Sequence, residues 1–348
     1  MERPVGKPLT YRDSGVDIDA GEEAVRRLTP HAQSTTRGEV LGKIGAFASF
    51  VRVPAGYAEP VLVSSTDGVG SKLKVAFRAD RHDTVGIDLV AMNVNDILVH
   101  GAEPLYFLDY IGVGRVDPAR IERIVGGIAE GCRQAGCALV GGEISEMPDV
   151  YARSEYDLAG FAVGVAEAAR IIDGRRVRRG DVVLGLASSG LHSNGFSLAR
   201  RIVFDVMGLP LDAELPGTGR HVADELLEPT RIYVRSVRRL LAEVDVHAMA
   251  HITGGGLGGN LTRVLPDDCR AVLHRGAWRV PPVFETLRAA GHVADEEMFR
   301  TFNMGIGYVV VVPPAAAERA RSTLTAAGES VSRIGEIAAG PRGVDIVA

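Results

Sequence analysis

Cysteine, tryptophan and long apolar runs are all scarce in this 348-residue chain. The three cysteines, Cys132, Cys137 and Cys269, cannot all pair with one another, and the first two are spaced too widely for a C-x-x-C motif. A disulfide framework is thereby excluded, and a reducing cytoplasm is the expected location. Trp278 is the single tryptophan, beside 10 Phe and 8 Tyr, so no stacking platform for single-stranded nucleic acid is evident. No segment approaches 18 uninterrupted apolar residues, and Met1 to Lys7 lacks an apolar signal-peptide core. Neither a membrane-spanning nor a secreted protein is expected. There is no long run of Lys or Arg, and the net charge is -5, which argues against DNA or RNA and leaves a small anion as the ligand.

What is present suits two aliphatic cores. The length exceeds a usual single core, and 46% hydrophobic with 24% charged residues is ordinary for folded domains. Residues 1–14 read as an irregular N-terminal arm. Ile171 to Gly180 carries the clearest change of composition, which sets a first domain at 15–170 and a second at 171–348. A helix starts at Asp17 to Asp19. Strands are expected at Ala46 to Val53 and Pro60 to Ser65, then a helix capped by Asp83-Thr84 and running through His100. A strand from Leu105 to Val113 leads to an Asp117-Pro118 helix start, and short strands follow at Ala138 to Val140 and Tyr156 to Val165. The second half repeats the mixture. Strands are expected at Val182 to Ala187, Val246 to Thr253, Arg270 to Leu273, Gly307 to Val312 and Ser330 to Ile337. Helices begin near Ser193 and span Val283 to Ala290 and Ala315 to Ala327, with Gly340 to Ala348 as a tail. The fold class is therefore mixed α/β, or α+β, in both domains.

Four segments carry chemistry-bearing side chains. In Thr66-Asp67-Gly68-Val69-Gly70-Ser71-Lys72 a β-run ends on two glycines, where backbone N–H groups approach an anion closely. Asp67 suits a divalent cation and Lys72 a phosphate oxygen, the alternative being a plain tight turn. Asn93 and Asp96, three apart on a helix, share a face, either toward Asp67 or toward solvent. Gly141-Gly142-Glu143 repeats the strand-end design, and Asp67, Asp96 and Glu143 together form a hard-oxygen set suited to magnesium. Ser189, Gly190, His192, Ser193 and Asn194 lie between a strand and a helix, a place that favours a phosphate; His192 is either a donor or acid/base group there or a surface residue. His251 precedes Gly254, Gly255 and Gly256, a second glycine-rich anion loop. It formally matches G-x-G-x-x-G but lacks the acidic residue about twenty positions on that a dinucleotide site needs. No P-loop occurs, so ATP would be held otherwise.

Taken together, Tyr11 to Gly21, Thr66 to Lys72, Gly86 to Asp96, Gly101 to Tyr110, Gly141 to Pro148, Ser188 to Ser197, Pro229 to Tyr233, His251 to Gly256 and Arg300 to Gly307 resemble the phosphoribosylformylglycinamidine cyclo-ligases, the AIR synthetases of purine biosynthesis. The resemblance spans nearly the whole chain. It implies ATP-dependent closure of formylglycinamidine ribonucleotide to aminoimidazole ribonucleotide, with ADP and phosphate released and Mg2+ on Asp67, Asp96 and Glu143. It also implies two α/β domains and a homodimer whose first-domain sheets share a barrel, with nucleotide near the interface. His192, His251 and Lys72 become the candidate catalytic residues. Ser71 stands for the usual threonine, the Gly42 to Ala48 loop is less glycine-rich than the family pattern, and Thr29 replaces a lysine of some members. No catalytic lysine is therefore assigned to the first helix. Other ATP-using kinases of the same superfamily, an inactive interaction protein of this fold, and a nicotinamide enzyme are the alternatives.

Overall fold

The computed structural model describes residues 10–42 and 44–348. The first nine residues of the expected arm and Lys43 lie outside the described residues. Helix α1, Ile18–Gln33, starts where Asp17 accepts the Ala20 N–H at 3.2 Å. Strand β1, Pro60–Gly68, leads through a 3-10 turn into α2, Leu73–Ala79, and then α3, Val85–Leu98. Strand β2, Glu103–Val113, crosses over through α4, Pro118–Ala135, to β3, Ala138–Glu146, and β4, Tyr156–Glu167, closes the unit. These strands make one mixed sheet, ordered β1-β4-β2-β3, with only β2 and β3 parallel.

Helix α3 is the keystone of this half. Leu89, Val90, Val94, Ile97 and Leu98 are fully buried, each worth about 1.5–3 kcal/mol. Gly86 lets α3 and α4 touch, because a Cβ there would collide with the backbone of Ile124 and Ile128. Asp117 caps α4 as expected, accepting the N–H groups of Ala119 and Arg120.

The second half holds β5, Val182–Ala187, and α5, Phe196–Arg200, which continues into a π-helical turn, Arg201–Val206. A two-residue hairpin follows, β6 at Glu214–Leu215 and β7 at Arg220–His221, then α6, Val222–Leu226, and α7, Val234–Glu243. Strand β8, Ala248–His251, α8, Gly256–Thr262, and β9, Cys269–His274, come next, before α9, Pro282–Gly291, and α10, Asp295–Thr301. The half ends with β10, Ile306–Val312, α11, Ala317–Ala326, β11, Val331–Ala339, and β12, Gly343–Val347. Its sheet runs β12-β9-β11-β5-β10-β8. β10 is buried along its whole length, as its Val-rich run requires.

Four expectations are corrected. Residues 46–53 form no strand; one bridge joins Val40 to Val51, since Gly42 and Gly45 interrupt any longer pairing. The presumed tail contains β12, which pairs parallel with β9 and is tied by the Arg270–Asp345 ion pair. Thr84 precedes α3, but its hydroxyl caps nothing. The helix expected at Ser193 starts three residues later, because Gly195 takes a left-handed φ of 74°.

Candidate active site

Strand β1, helix α3 and the loops after β5 and β8 meet at the junction of the two halves. Asp67 ends β1, and its carboxylate accepts the Gly68 N–H at 2.7 Å. Burial raises its pKa above the ordinary value; the Gly68 N–H opposes this and the neighbouring Asp96 carboxylate reinforces it. Asn93, fully buried on α3, donates to the Leu89 carbonyl at 2.8 Å and braces the Asp67 carbonyl at 3.4 Å. Its role is to set the end of β1.

Three residues on, Asp96 reaches across to the second half. Its Oδ1 lies 2.9 Å from His251 Nδ1, at the end of β8. An ionised carboxylate only accepts, so Nδ1 carries a proton, and in the neutral ring Nε2 carries a lone pair. That Nε2 is buried and has no partner.

His192 presents the complementary arrangement. The Ser189 N–H donates to its Nε2 at 3.2 Å, which puts the proton on Nδ1, and Nδ1 is buried without a partner. Its φ of 61° is left-handed, a strained choice for histidine. Burial first, then the charges of His251, Lys72 and Arg231, hold its pKa well below the ordinary histidine value. Between the two rings stand Tyr233 and Tyr308, their centroids 5.2 Å apart, with Tyr233 donating to the Ala187 carbonyl at 2.8 Å.

The glycine loops lie side by side. Asn194 Oδ1 accepts the Gly254 N–H at 2.9 Å, while Asn194 Nδ2 and Ser193 Oγ are buried and unpartnered. Gly255 has a φ of 96°, and Gly256 is the only residue type that clears the Phe299 carbonyl. Ser189 Oγ donates to the Pro229 carbonyl at 2.6 Å, and the Gly190 carbonyl accepts from Asn303 at 2.8 Å, so the loop is braced on both sides. Three buried groups able to donate, His192 Nδ1–H, the Ser193 hydroxyl and the Asn194 amide, thus lack partners on the loop after β5, an arrangement that fits a polyanion.

Lys72 takes a different place from the one its motif suggests. It is fully buried, and its ammonium donates to Asp88 at 2.9 Å, to the His192 carbonyl at 3.1 Å and to the Glu228 carbonyl at 2.6 Å. All three protons are used, so Lys72 clamps the two halves together and holds the His192 loop, with none left for a phosphate. Burial lowers its pKa, against the pull of Asp88. Ser71 faces outward, its hydroxyl 3.1 Å from that of Ser197, while Gly70 turns the chain at a φ of 71°.

Glu143 stands apart. Across the sheet Asp67 is level with Gly160, Asp109 and Gly142, which puts Gly142 about 14 Å from Asp67 at three strand spacings. A Cβ on Gly142 would strike the Asp109 carboxylate, so Glu143, one residue on, points to the opposite face. Among the described residues no three His, Cys, Asp or Glu side chains gather to hold a metal. Within one chain the acidic trio reduces to the pair Asp67 and Asp96. Gly141, Gly142 and Glu143 instead line a cavity of about 1210 Å3 between α1 and the β2–β3 edge, with Asp109 in its wall. Burial pushes the Asp109 carboxyl up to about 7.

Sequence reasoning missed the polar bridge between the halves. Asp88 accepts from the Thr230 N–H and hydroxyl, both at 2.7 Å, and Asn95 binds the Arg231 carbonyl and the Tyr233 N–H. Asp88 and Asn95 are seven apart on one face of an otherwise apolar helix, and that spacing was the available signal.

Comparison with known proteins places this geometry. Two family models, AIR synthase related protein N-terminal and C-terminal domains, match residues 48–166 and 178–348. The chain belongs to the AIR synthase related family. It is 55% identical over 343 residues to a phosphoribosylformylglycinamidine cyclo-ligase of Citrifermentans bemidjiense, covering 97% of this chain and 99% of the relative. A protein of the same name from Anaeromyxobacter dehalogenans is 58% identical over 337 residues, covering 96% and 97%. Solved structures with a similar fold include a thiamine-monophosphate kinase from Stenotrophomonas maltophilia, with a TM-score of 0.69, 20% identity and coverage of 93% and 95%. The hydrogenase maturation protein HypE in complex with ATP has a TM-score of 0.60 at 20% identity, covering 90% of this chain and 85% of that one. In this AIR synthase family member the two histidines and the glycine loops therefore sit on a scaffold whose fold is shared with these two proteins.

Proposed function

We propose that the protein is an ATP-dependent cyclo-ligase that closes formylglycinamidine ribonucleotide to 5-aminoimidazole ribonucleotide, releasing ADP and phosphate, in purine biosynthesis. The observation that carries this reading is identity of 55–58% along 96–97% of the chain to relatives bearing that name, against 20% to the kinase of similar fold.

The chemistry explains the need for ATP. A formamide oxygen is a poor leaving group. Its attack on the γ-phosphorus expels ADP and leaves the oxygen phosphorylated; the amidine nitrogen then bonds to the formyl carbon, the C–O bond breaks and phosphate departs. The nitrogen must shed a proton. His251 Nε2 offers a lone pair for it, oriented by Asp96, and the His192 Nδ1–H, the Ser193 hydroxyl and the Asn194 amide offer donors to phosphoryl oxygens. Asp67 and Asp96 fit Mg2+ as this ion is usually held, by one or two carboxylates together with substrate phosphates. Bound there it would draw charge from the triphosphate.

Glu143 joins this site through a second copy. The face of the first sheet turned away from α3 exposes Leu62, Tyr110 and Phe161, at 58%, 39% and 39% exposure, and a homodimer closing over that face would cover them. The cavity and Glu143 of one protomer would then adjoin Asp67 and Asp96 of its partner, with the nucleotide near the interface. Among the described residues no helix is long and apolar enough to cross a membrane, and all three cysteines are free and buried, consistent with a reducing cytoplasm.

The test is ADP release by the purified protein with and without formylglycinamidine ribonucleotide. Release that depends on the ribonucleotide and matches aminoimidazole formation is expected. Release that is indifferent to it, or that depends instead on thiamin monophosphate, would replace this reading with the kinase alternative.

A further inference from the structure

Beside the Asp67–Ser71 turn lies a cleft of about 260 Å3 lined by Lys74, Arg78, Ser197, Arg200, Arg201 and Asp205. Helix α2 supplies Lys74 and Arg78, four apart on its exposed side; α5 and the π-turn after it supply Ser197, Arg200 and Arg201. The cleft therefore spans both halves of the molecule. Four cations face one carboxylate here, in a chain whose net charge is -5.

Two of these cations are partly engaged. Lys74 reaches Glu155 at 2.7 Å, and the Arg78 guanidinium lies 4.2 Å from the centroid of the Phe204 ring, which fixes its plane. Among the described residues Arg78, Arg200 and Arg201 pair with no carboxylate. Like charges held this close repel one another, and a bound dianion would relieve that repulsion. Guanidinium groups suit phosphate oxygens in particular, because they donate in a planar fork.

Position narrows the ligand. The Ser197 hydroxyl in the cleft is 3.1 Å from that of Ser71, itself four residues past Asp67, and the His192–Gly195 loop runs directly into α5. An anion held here would sit next to both reacting loops. ATP brings a divalent cation, for which Asp67 and Asp96 are suited, whereas this cleft offers cations and only Asp205. A phosphate monoester, close to a dianion at neutral pH, needs the cations themselves.

We propose that this cleft binds the 5′-phosphate of the ribonucleotide substrate, with Arg200 and Arg201 as its principal ligands and Arg78 and Ser197 in support. The assignment deepens the cyclo-ligase reading and rests on it for the substrate's identity.

Steady-state kinetics of Arg200→Ala, Arg201→Ala and the double variant test it, with ATP and formylglycinamidine ribonucleotide varied separately. Each single variant should raise the KM for the ribonucleotide about tenfold and the double variant about a hundredfold, with kcat and the KM for ATP within about twofold. An unchanged ribonucleotide KM, or a rise confined to ATP, overturns the assignment. Calorimetric binding of ribose 5-phosphate gives a second arm that needs no turnover. It should bind the wild type and fail to bind the double variant; equal binding to both overturns the cleft. Absence of wild-type turnover would sink the cyclo-ligase reading alone, and the calorimetric arm would still decide the cleft.

Discussion

The ammonium of Lys72 lies 3.1 Å from the carbonyl oxygen of His192, joining a turn of the first half to the strained loop of the second. A motif that reads as a phosphate ligand is thus a buried clamp. Lys72→Met would leave Asp88 buried without its counter-charge and should destabilise the protein by about 3–5 kcal/mol. Urea unfolding measures this. A surface lysine serving ATP would instead leave the unfolding midpoint in place and raise only the KM for ATP.

His192 is held neutral by burial and by nearby positive charge. Its pKa is lowered, so the uncharged, Nδ1-protonated ring persists below the ordinary histidine range near 6.5 as well as above it. The pH profile of kcat/KM should therefore show no limb near pH 6.5 that belongs to this residue. His192→Asn should lower kcat by about a hundredfold without shifting the profile. An acid limb near 6.5 that vanishes in the variant would contradict this.

Asp109 carries the opposite sign. Burial raises its pKa from 3.8 to about 7, so between those values the folded chain holds a proton that the unfolded chain has lost. Stability from this residue is greatest at low pH and falls as pH rises toward 7. Asp109→Asn should gain on the wild type through that window, by about 2–4 kcal/mol at pH 8 and by nothing below pH ~4. Thermal unfolding across pH reads the difference, and a pH-independent gap would refute it.

Much of this was legible in the chain, and what was not has physical causes. Asp17 and Asp117 mark helix starts because caps act locally, and the apolar periodicity of α3 shows its burial. The approach of Asp67 to Asp96 also accords with the reading of their motifs, whereas the Asp96–His251 bond between the halves had no local signal. The environment of Lys72 had none either, since its partners His192 and Glu228 lie 120 and 156 residues away. The distance of Glu143 from Asp67 within one chain was hidden for a related reason. Strand parity decides its face, and parity depends on a register shift between β2 and β3 at Phe107/Leu108 that no local pattern reveals.

The separation of Glu143 from Asp67 makes subunit complementation informative. Asp67→Asn and Glu143→Gln homodimers should each be nearly inactive. Mixed by unfolding and refolding together, they should regain about a quarter of wild-type activity, because half the dimers are mixed and each of those has one intact site. No recovery would place Glu143 outside the catalytic site.

The claim at the centre of this account is that ATP phosphorylates the formamide oxygen before the ring closes. Turnover of ribonucleotide labelled with oxygen-18 at the formyl group tests it directly, with the released phosphate read by mass spectrometry. One labelled oxygen in each phosphate, in equal amount to ADP and aminoimidazole ribonucleotide, is the predicted result. Unlabelled phosphate, with the label lost to water, would contradict it.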